Sequence, residues 1–184
     1  MSRIAPIRSV SDLPPEHRSV AQAVLEMFGH IRGPFSMLLH SPELAQRLLP
    51  MVAFVRGDTV VEARLRFPAI LSAALDCGSP YVWAAQVALA RRSGVREVLI
   101  ELVQARAPLE AFEPDERDIV QFARDLIARR RVDAQVFDSL HARHGERWMV
   151  ELAAIVGFFA FVSTICTTFD VPAPEQAGAD RRPA

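Results

Sequence analysis

The sequence predicts an all-α fold, a single-domain helical bundle, and three observations carry that expectation. Helix-start signals recur: Ser41-Pro42-Glu43, Thr59-Val60-Val61-Glu62 and Ser79-Pro80 each join a capping side chain to a proline or an acid in the first turn. Glycines stand where such helices would stop, at Gly29, Gly57, Gly94 and Gly145. No stretch alternates apolar and polar residues in the manner of a half-buried strand.

Taken in order, Pro14-Pro15 opens a first helix that runs to about Gly29. Gly33-Pro34 breaks the chain, and the short apolar piece FSMLLH follows. The next helix starts with Ser41 as N-cap and extends to about Arg56. Thr59 and Glu62 have capping-box spacing, which predicts a helix from Thr59 towards Cys77. Pro68 sits inside it, removing a hydrogen bond and crowding the carbonyl of Arg64, so a kink is expected there. Ser79-Pro80 begins the helix that stops at Gly94, and a short one spans about 96–104. The loop APLEAFEP leads to a helix over about 115–130, acidic at its start and basic at its end, as the helix dipole favours. Asp133 caps another that ends near Gly145, and a long apolar helix closes the fold. Residues 1–13 read as an N-terminal arm, 14–171 as the helical domain, and 172–184, rich in Pro, Ala and Gly, as a disordered tail.

A length of 184 residues suits one domain with a real core. The formal net charge of -1 gives no electrostatic footprint for a nucleic acid, so none is expected as a partner. All basic residues are arginine, and the absence of lysine excludes Schiff-base chemistry and pyridoxal phosphate attachment. Cys77 and Cys166 do not make a disulfide framework. The first residues lack the apolar run of a signal peptide, so a cytoplasmic location is expected. The segment LAAIVGFFAFVSTICTTF, 152–169, is uncharged and about long enough to cross a bilayer. It carries Ser163, Thr164, Thr167 and Thr168 and has no second such span beside it. The expectation is a helix buried in a bundle or between subunits, with no membrane partner.

Three pieces then stand in a telling order: GPFSMLLHSPELAQRL, SPYVWAAQVALARRSGV and WMVELAAIVGFFAFVSTICTTFDV. Their succession resembles the carboxymuconolactone decarboxylase and alkylhydroperoxidase D-like superfamily, decarboxylase-like branch, over about residues 25–173. The resemblance implies an all-α fold that assembles as trimers, hexamers or similar oligomers, with the closing helix, here 148–169, buried between subunits. It also implies lactone-decarboxylase or peroxidase chemistry that needs no metal or organic cofactor. Set against that pattern, Phe67 stands where the decarboxylase type has a glutamate, Val82 replaces a second glutamate, and Gln86 replaces the histidine. The peroxidase branch's paired cysteines two residues apart are absent: Cys77 is followed by Gly78 and Ser79.

The candidate catalytic residues are therefore Tyr81, Gln86, His40 and Cys77, and the candidate substrate contacts are Trp83, Phe67 and Arg64. Val82 and Gln86 lie one turn apart on one helix face and cannot exchange protons, although Gln86 can donate a hydrogen bond to a carbonyl or carboxylate. Tyr81 is a weak general acid or a packed aromatic at a helix start. His40 is an acid–base candidate or a residue of the turn before Ser41. Cys77 is a one-cysteine peroxidase nucleophile or a packed thiol at a helix end. Asp76 beside it is a base or an ordinary turn cap. Arg64 and Arg66 bind a substrate carboxylate or form ion pairs. His141 and His144, three apart on a charged helix, have no third ligand, so no metal is expected. Two readings follow: a cofactor-free lyase or isomerase acting on a small carboxylated or lactone metabolite, and a non-catalytic protein that binds a small acid or serves as an oligomeric interaction protein. One-cysteine peroxidase activity is a third.

Overall fold

The computed structural model describes residues 2–174; the remainder of the expected tail, 175–184, lies outside the described residues. Every regular element among them is helical and no strand forms, so the all-α expectation holds. The helices are α1 (Arg18–Phe28), α2 (Pro34–Leu38), α3 (Pro42–Ala53), α4 (Ala63–Asp76), α5 (Pro80–Arg92), α6 (Glu97–Gln104), α7 (Pro114–Arg129) and α8 (Ala134–Thr168). They fall into two compact units, residues 2–58 with 164–174, and residues 59–163.

In the first unit, α1 ends as its glycine requires: Gly29 takes φ 75° and its N–H returns to the carbonyl of Leu25. The helix expected to reach Arg56 leaves regular α geometry at Ala53 and widens into a π-helical turn over Phe54–Asp58. Val20, Ala21 and Val24 of α1 and Ala45, Leu49 and Val52 of α3 are buried. The first residues of the chain are tied down as well. The Ile7 amide bonds the carbonyl of Ser36 at 2.9 Å, and the Arg3 guanidinium pairs with Asp170 at 2.6 Å.

In the second unit, the expected capping box at Thr59 does not form, and α4 begins only at Ala63 with Glu62 as N-cap. The reason is tertiary. The Thr59 hydroxyl donates to Glu151 at 2.7 Å, and the Glu62 carboxylate accepts the indole N–H of Trp148 at 3.4 Å. The helix then runs through Pro68 without ending. Ser79 does cap α5, its Oγ accepting the Val82 amide at 3.3 Å. Asp133 accepts the amides of Gln135 and Val136 at the start of α8. Gly145, at φ 78° and ψ 177°, interrupts α8, as its place in the sequence predicts. Ile70, Leu71, Leu99, Ile100, Ile119, Leu140, Leu152 and Ile155 form the core of this unit, each at most 2% exposed. By length and composition α8 could cross a membrane, and half of its most apolar stretch is buried within the protein.

Candidate functional site

Helices α4 and α5 form a hairpin joined at Cys77–Ser79, and six of the seven sequence-predicted site residues lie on it or at its bend. Phe67, Tyr81 and Val82 are buried, Phe67 at 2% exposure with the Arg66 guanidinium 6.0 Å from its ring centre. Trp83 and Gln86 are half-buried on α5. The Gln86 amide oxygen is shielded from solvent and has no hydrogen-bond donor. Cys77 closes α4, half-buried, and its thiol is pushed up, first by burial and then by the Asp76 charge, with Arg130 pulling the other way. His40, the seventh residue, belongs to the first unit. It is exposed, and its Nε2 lies 2.9 Å from the carbonyl of Ala5.

The structure separates Arg64 from the bend of the hairpin. Arg64 and Cys77 are thirteen positions apart along α4, roughly 20 Å at the rise of an α-helix. Arg64 instead lines a cavity of about 370 Å³ with Ser93, Gly94, Val95, Arg96, Glu113 and Glu116. Arg96 is fully engaged there, meeting Glu113 at 2.8 Å and the buried Glu116 at 2.9 Å. Arg64 is not: its side chain is 62% exposed and held by one long contact, 3.4 Å to Asp115. Of the two arginines that line the cavity, Arg64 is the less tightly held.

At the bend, a second group of charges gathers that residue-by-residue reading of the chain passes over. Arg106 pairs with Asp76 and donates to the carbonyl of Leu75 at 3.3 Å. Arg124 donates to the carbonyl of Ala107 at 3.1 Å and lies 5.6 Å from the centre of the Phe112 ring. Arg129–Arg130–Arg131 ends α7 close by. The run of three arginines was the available signal, but such a run reads as a solvated surface until the fold brings Asp76 and Arg106 to it. His141 and His144 also part company: His141 pairs with Glu146 at 3.3 Å, while His144 stacks on Trp148.

No protein-family model and no curated protein matches the chain. Solved structures do resemble it. A peroxidase-related protein from Ralstonia eutropha JMP134, an alkylhydroperoxidase AhpD core, superposes with a TM-score of 0.72 at 19% identity, covering 95% of this chain and 93% of that one. A cysteine-to-alanine variant of the debrominase Bmp8 in complex with 2,3,4-tribromopyrrole gives 0.73 at 19% identity and 98% of both chains. A peroxidase-related protein from Silicibacter sp. TM1040 gives 0.70 at 16% identity, with 89% and 87% covered. At such identities the likeness is one of architecture, and the chain has the all-α fold of the alkylhydroperoxidase AhpD-like and carboxymuconolactone decarboxylase-like proteins.

Proposed function

We propose that the protein is a non-catalytic representative of this fold that binds a small carboxylic acid and works as a cytoplasmic homo-oligomer, a trimer or hexamer. The observation that carries the reading is the face of the hairpin itself. Phe67 and Val82 are buried hydrocarbons, and Gln86 is an amide, so none of the three exchanges a proton near neutral pH. Cys77 does not replace them, because a thiol pushed up by burial is a poor nucleophile. Binding of an acid rests on Arg64, whose weakly held guanidinium faces the cavity and offers a two-pronged hydrogen bond to a carboxylate. Assembly rests on α8, where Val150 is 68% exposed and Gly157 open on a helix free of charge from Leu152 onward.

The test is thermal shift of the purified protein against small lactones, diacids and peroxides, each also assayed for turnover. A ligand at one hundred times its dissociation constant stabilises by about 2.7 kcal/mol, a shift of several degrees at this size. Stabilisation by a diacid without turnover, lost in Arg64→Met, is the expected result. No shift from any acid, or turnover of any panel member, overturns it.

One observation favours the enzyme reading, a cofactor-free lyase or isomerase: the unpartnered amide oxygen of Gln86 is an acceptor that a substrate hydroxyl would satisfy. On that reading Tyr81 is the proton donor and Gln86→Met abolishes turnover. On the non-catalytic reading the same change leaves stability unchanged or slightly raised, because it removes an unsatisfied polar atom.

A further inference from the structure

The bend of the α4–α5 hairpin carries a surplus of positive charge that the ion pairs there do not absorb. Helices α4 and α7 run side by side in the same direction, since Arg64 near the start of one pairs with Asp115 near the start of the other. Twelve residues further along each, Asp76 and Cys77 therefore stand level with the C-terminal end of α7, between Arg124, one turn before its last, and Arg130, its C-cap. Arg106, just past the end of α6, completes the group through its pair with Asp76. Three guanidinium groups from two segments thus gather here: Arg106 pairs with Asp76, whose side chain is only 11% exposed, Arg124 lies within reach of the same charge, and Arg130 is near enough to Cys77 to act on its thiol. Arg124 and Arg130 form no ion pair with an acid among the described residues, and Nη2 of Arg124 is shielded from solvent without an acceptor.

The backbone at two of these arginines is also unusual. Arg106 and Arg130 adopt φ 51° and φ 58°, in the left-handed region. At a helix end glycine takes that conformation without strain, as Gly29 does at the end of α1. Here two helix ends facing one place use arginine instead. Asp170 takes the same conformation elsewhere, at φ 50°, so the backbone alone does not mark the place; glycine would fit it with less strain, and the guanidinium is what that substitution would lose.

We infer that Arg106, Arg124 and Arg130 form a binding site for a small oxyanion of the phosphate type at the bend of the hairpin, beside Cys77 and separate from the Arg64 cavity. A tetrahedral oxyanion presents several acceptor oxygens at once, and three guanidinium groups from the end of α6 and the end of α7 answer that geometry. Closure of the anion onto Arg124 supplies the acceptor its Nη2 lacks. The inference does not depend on the acid-binding reading of the Arg64 cavity.

Cys77 is a built-in reporter. It is half-buried at the edge of the cluster, whereas Cys166 is buried. The rate of Cys77 alkylation by iodoacetamide is followed by peptide mass in the full-length protein, with inorganic phosphate titrated against chloride at constant ionic strength. Phosphate is expected to slow alkylation several-fold and saturably. Arg130→Gly, which suits φ 58°, is expected to fold with unchanged or higher Tm and to bind phosphate at least about tenfold more weakly, the usual worth of a charge-assisted hydrogen bond. Arg124→Met gives the same loss from a helical position, and Arg64→Met leaves protection intact. Wild-type alkylation indifferent to phosphate overturns the inference. So does protection that survives in Arg130→Gly, or protection lost only in Arg64→Met.

Discussion

The imidazole of His144 lies flat on the indole of Trp148, with ring centres 4.0 Å apart and planes 14° from parallel. The stack spans the interruption of α8 at Gly145: His144 is the last residue before it, and Trp148 belongs to the first turn after it. Burial lowers the proton affinity of His144. The adjacent Arg143 lowers it further and Arg64 adds a smaller lowering, while Glu62 and Asp115 pull partly the other way.

That direction fixes a pH dependence. A histidine held below its unfolded value of about 6.5 binds fewer protons in the folded state than in the unfolded one. Above that pH it leaves stability unchanged. As pH falls through 6.5 and on through the lowered folded value, it costs stability. His144→Gln is therefore expected to flatten the decline of Tm between about pH 7 and pH 5. Parallel declines in the two proteins would assign the loss to other groups.

Glu151 anchors the same region. Burial pushes its carboxyl up, but the Thr59 hydroxyl and Val60 amide at 2.7 Å, with Arg147 at 2.9 Å, outweigh that and hold it below the ordinary carboxylate value. Glu151→Ala leaves two of those donors without an acceptor inside the protein and is expected to cost about 1–3 kcal/mol in urea denaturation. Glu151→Gln keeps one acceptor oxygen and should cost less. Equal losses for the two variants would locate the effect in packing rather than in the hydrogen bonds.

The thiol of Cys77 offers a direct check on the non-catalytic reading. With burial as the leading cause of its raised pKa, the rate of alkylation in phosphate-free buffer is expected to keep climbing above pH 9, and peroxide to oxidise the thiol slowly. A rate already on its plateau below pH 8 would mean a thiolate stabilised at neutral pH, and would bring the peroxidase reading back.

How much of this was legible in the sequence follows the range of each interaction. The Ser79 cap, the Gly29 stop, the Asp133 cap and the break at Gly145 all depend on residues a few positions apart, and each stands where the sequence predicts. The Thr59–Glu62 box is equally local in spacing, yet Glu151 and Trp148, more than eighty residues on, take both side chains and delay α4 to Ala63. Arg64 was recognisable as a possible carboxylate contact, but the Arg96–Glu116 pair that shapes its cavity exists only once α6 and α7 meet. Asp76 and the charges around it come from three separate segments, so no single stretch of sequence displays them.

Gly157 separates a structural demand of the monomer from one of its assembly. It lies inside α8, where glycine is poorer than alanine by about 0.5–1 kcal/mol. A Cβ built on it meets nothing within 4 Å, so the protomer gives no steric reason for glycine there. Ala154 and Val150 lie on the same helical face one and two turns earlier, and Phe161 one turn later, with Val150 largely exposed. If this face packs against another copy, glycine lets the two helices approach closely, and a long charged side chain at the position keeps them apart. Gly157→Arg is therefore expected to fold, keep its far-ultraviolet circular dichroism, and elute as a monomer in size-exclusion chromatography with light scattering, where the proposed assembly predicts a trimer or hexamer for the unaltered protein. Gly157→Ala, nearly as small, should retain the oligomer. An Arg variant that assembles like the unaltered protein would move the interface off this face, and an unaltered protein that is monomeric at micromolar concentration would remove the oligomer from the proposed function.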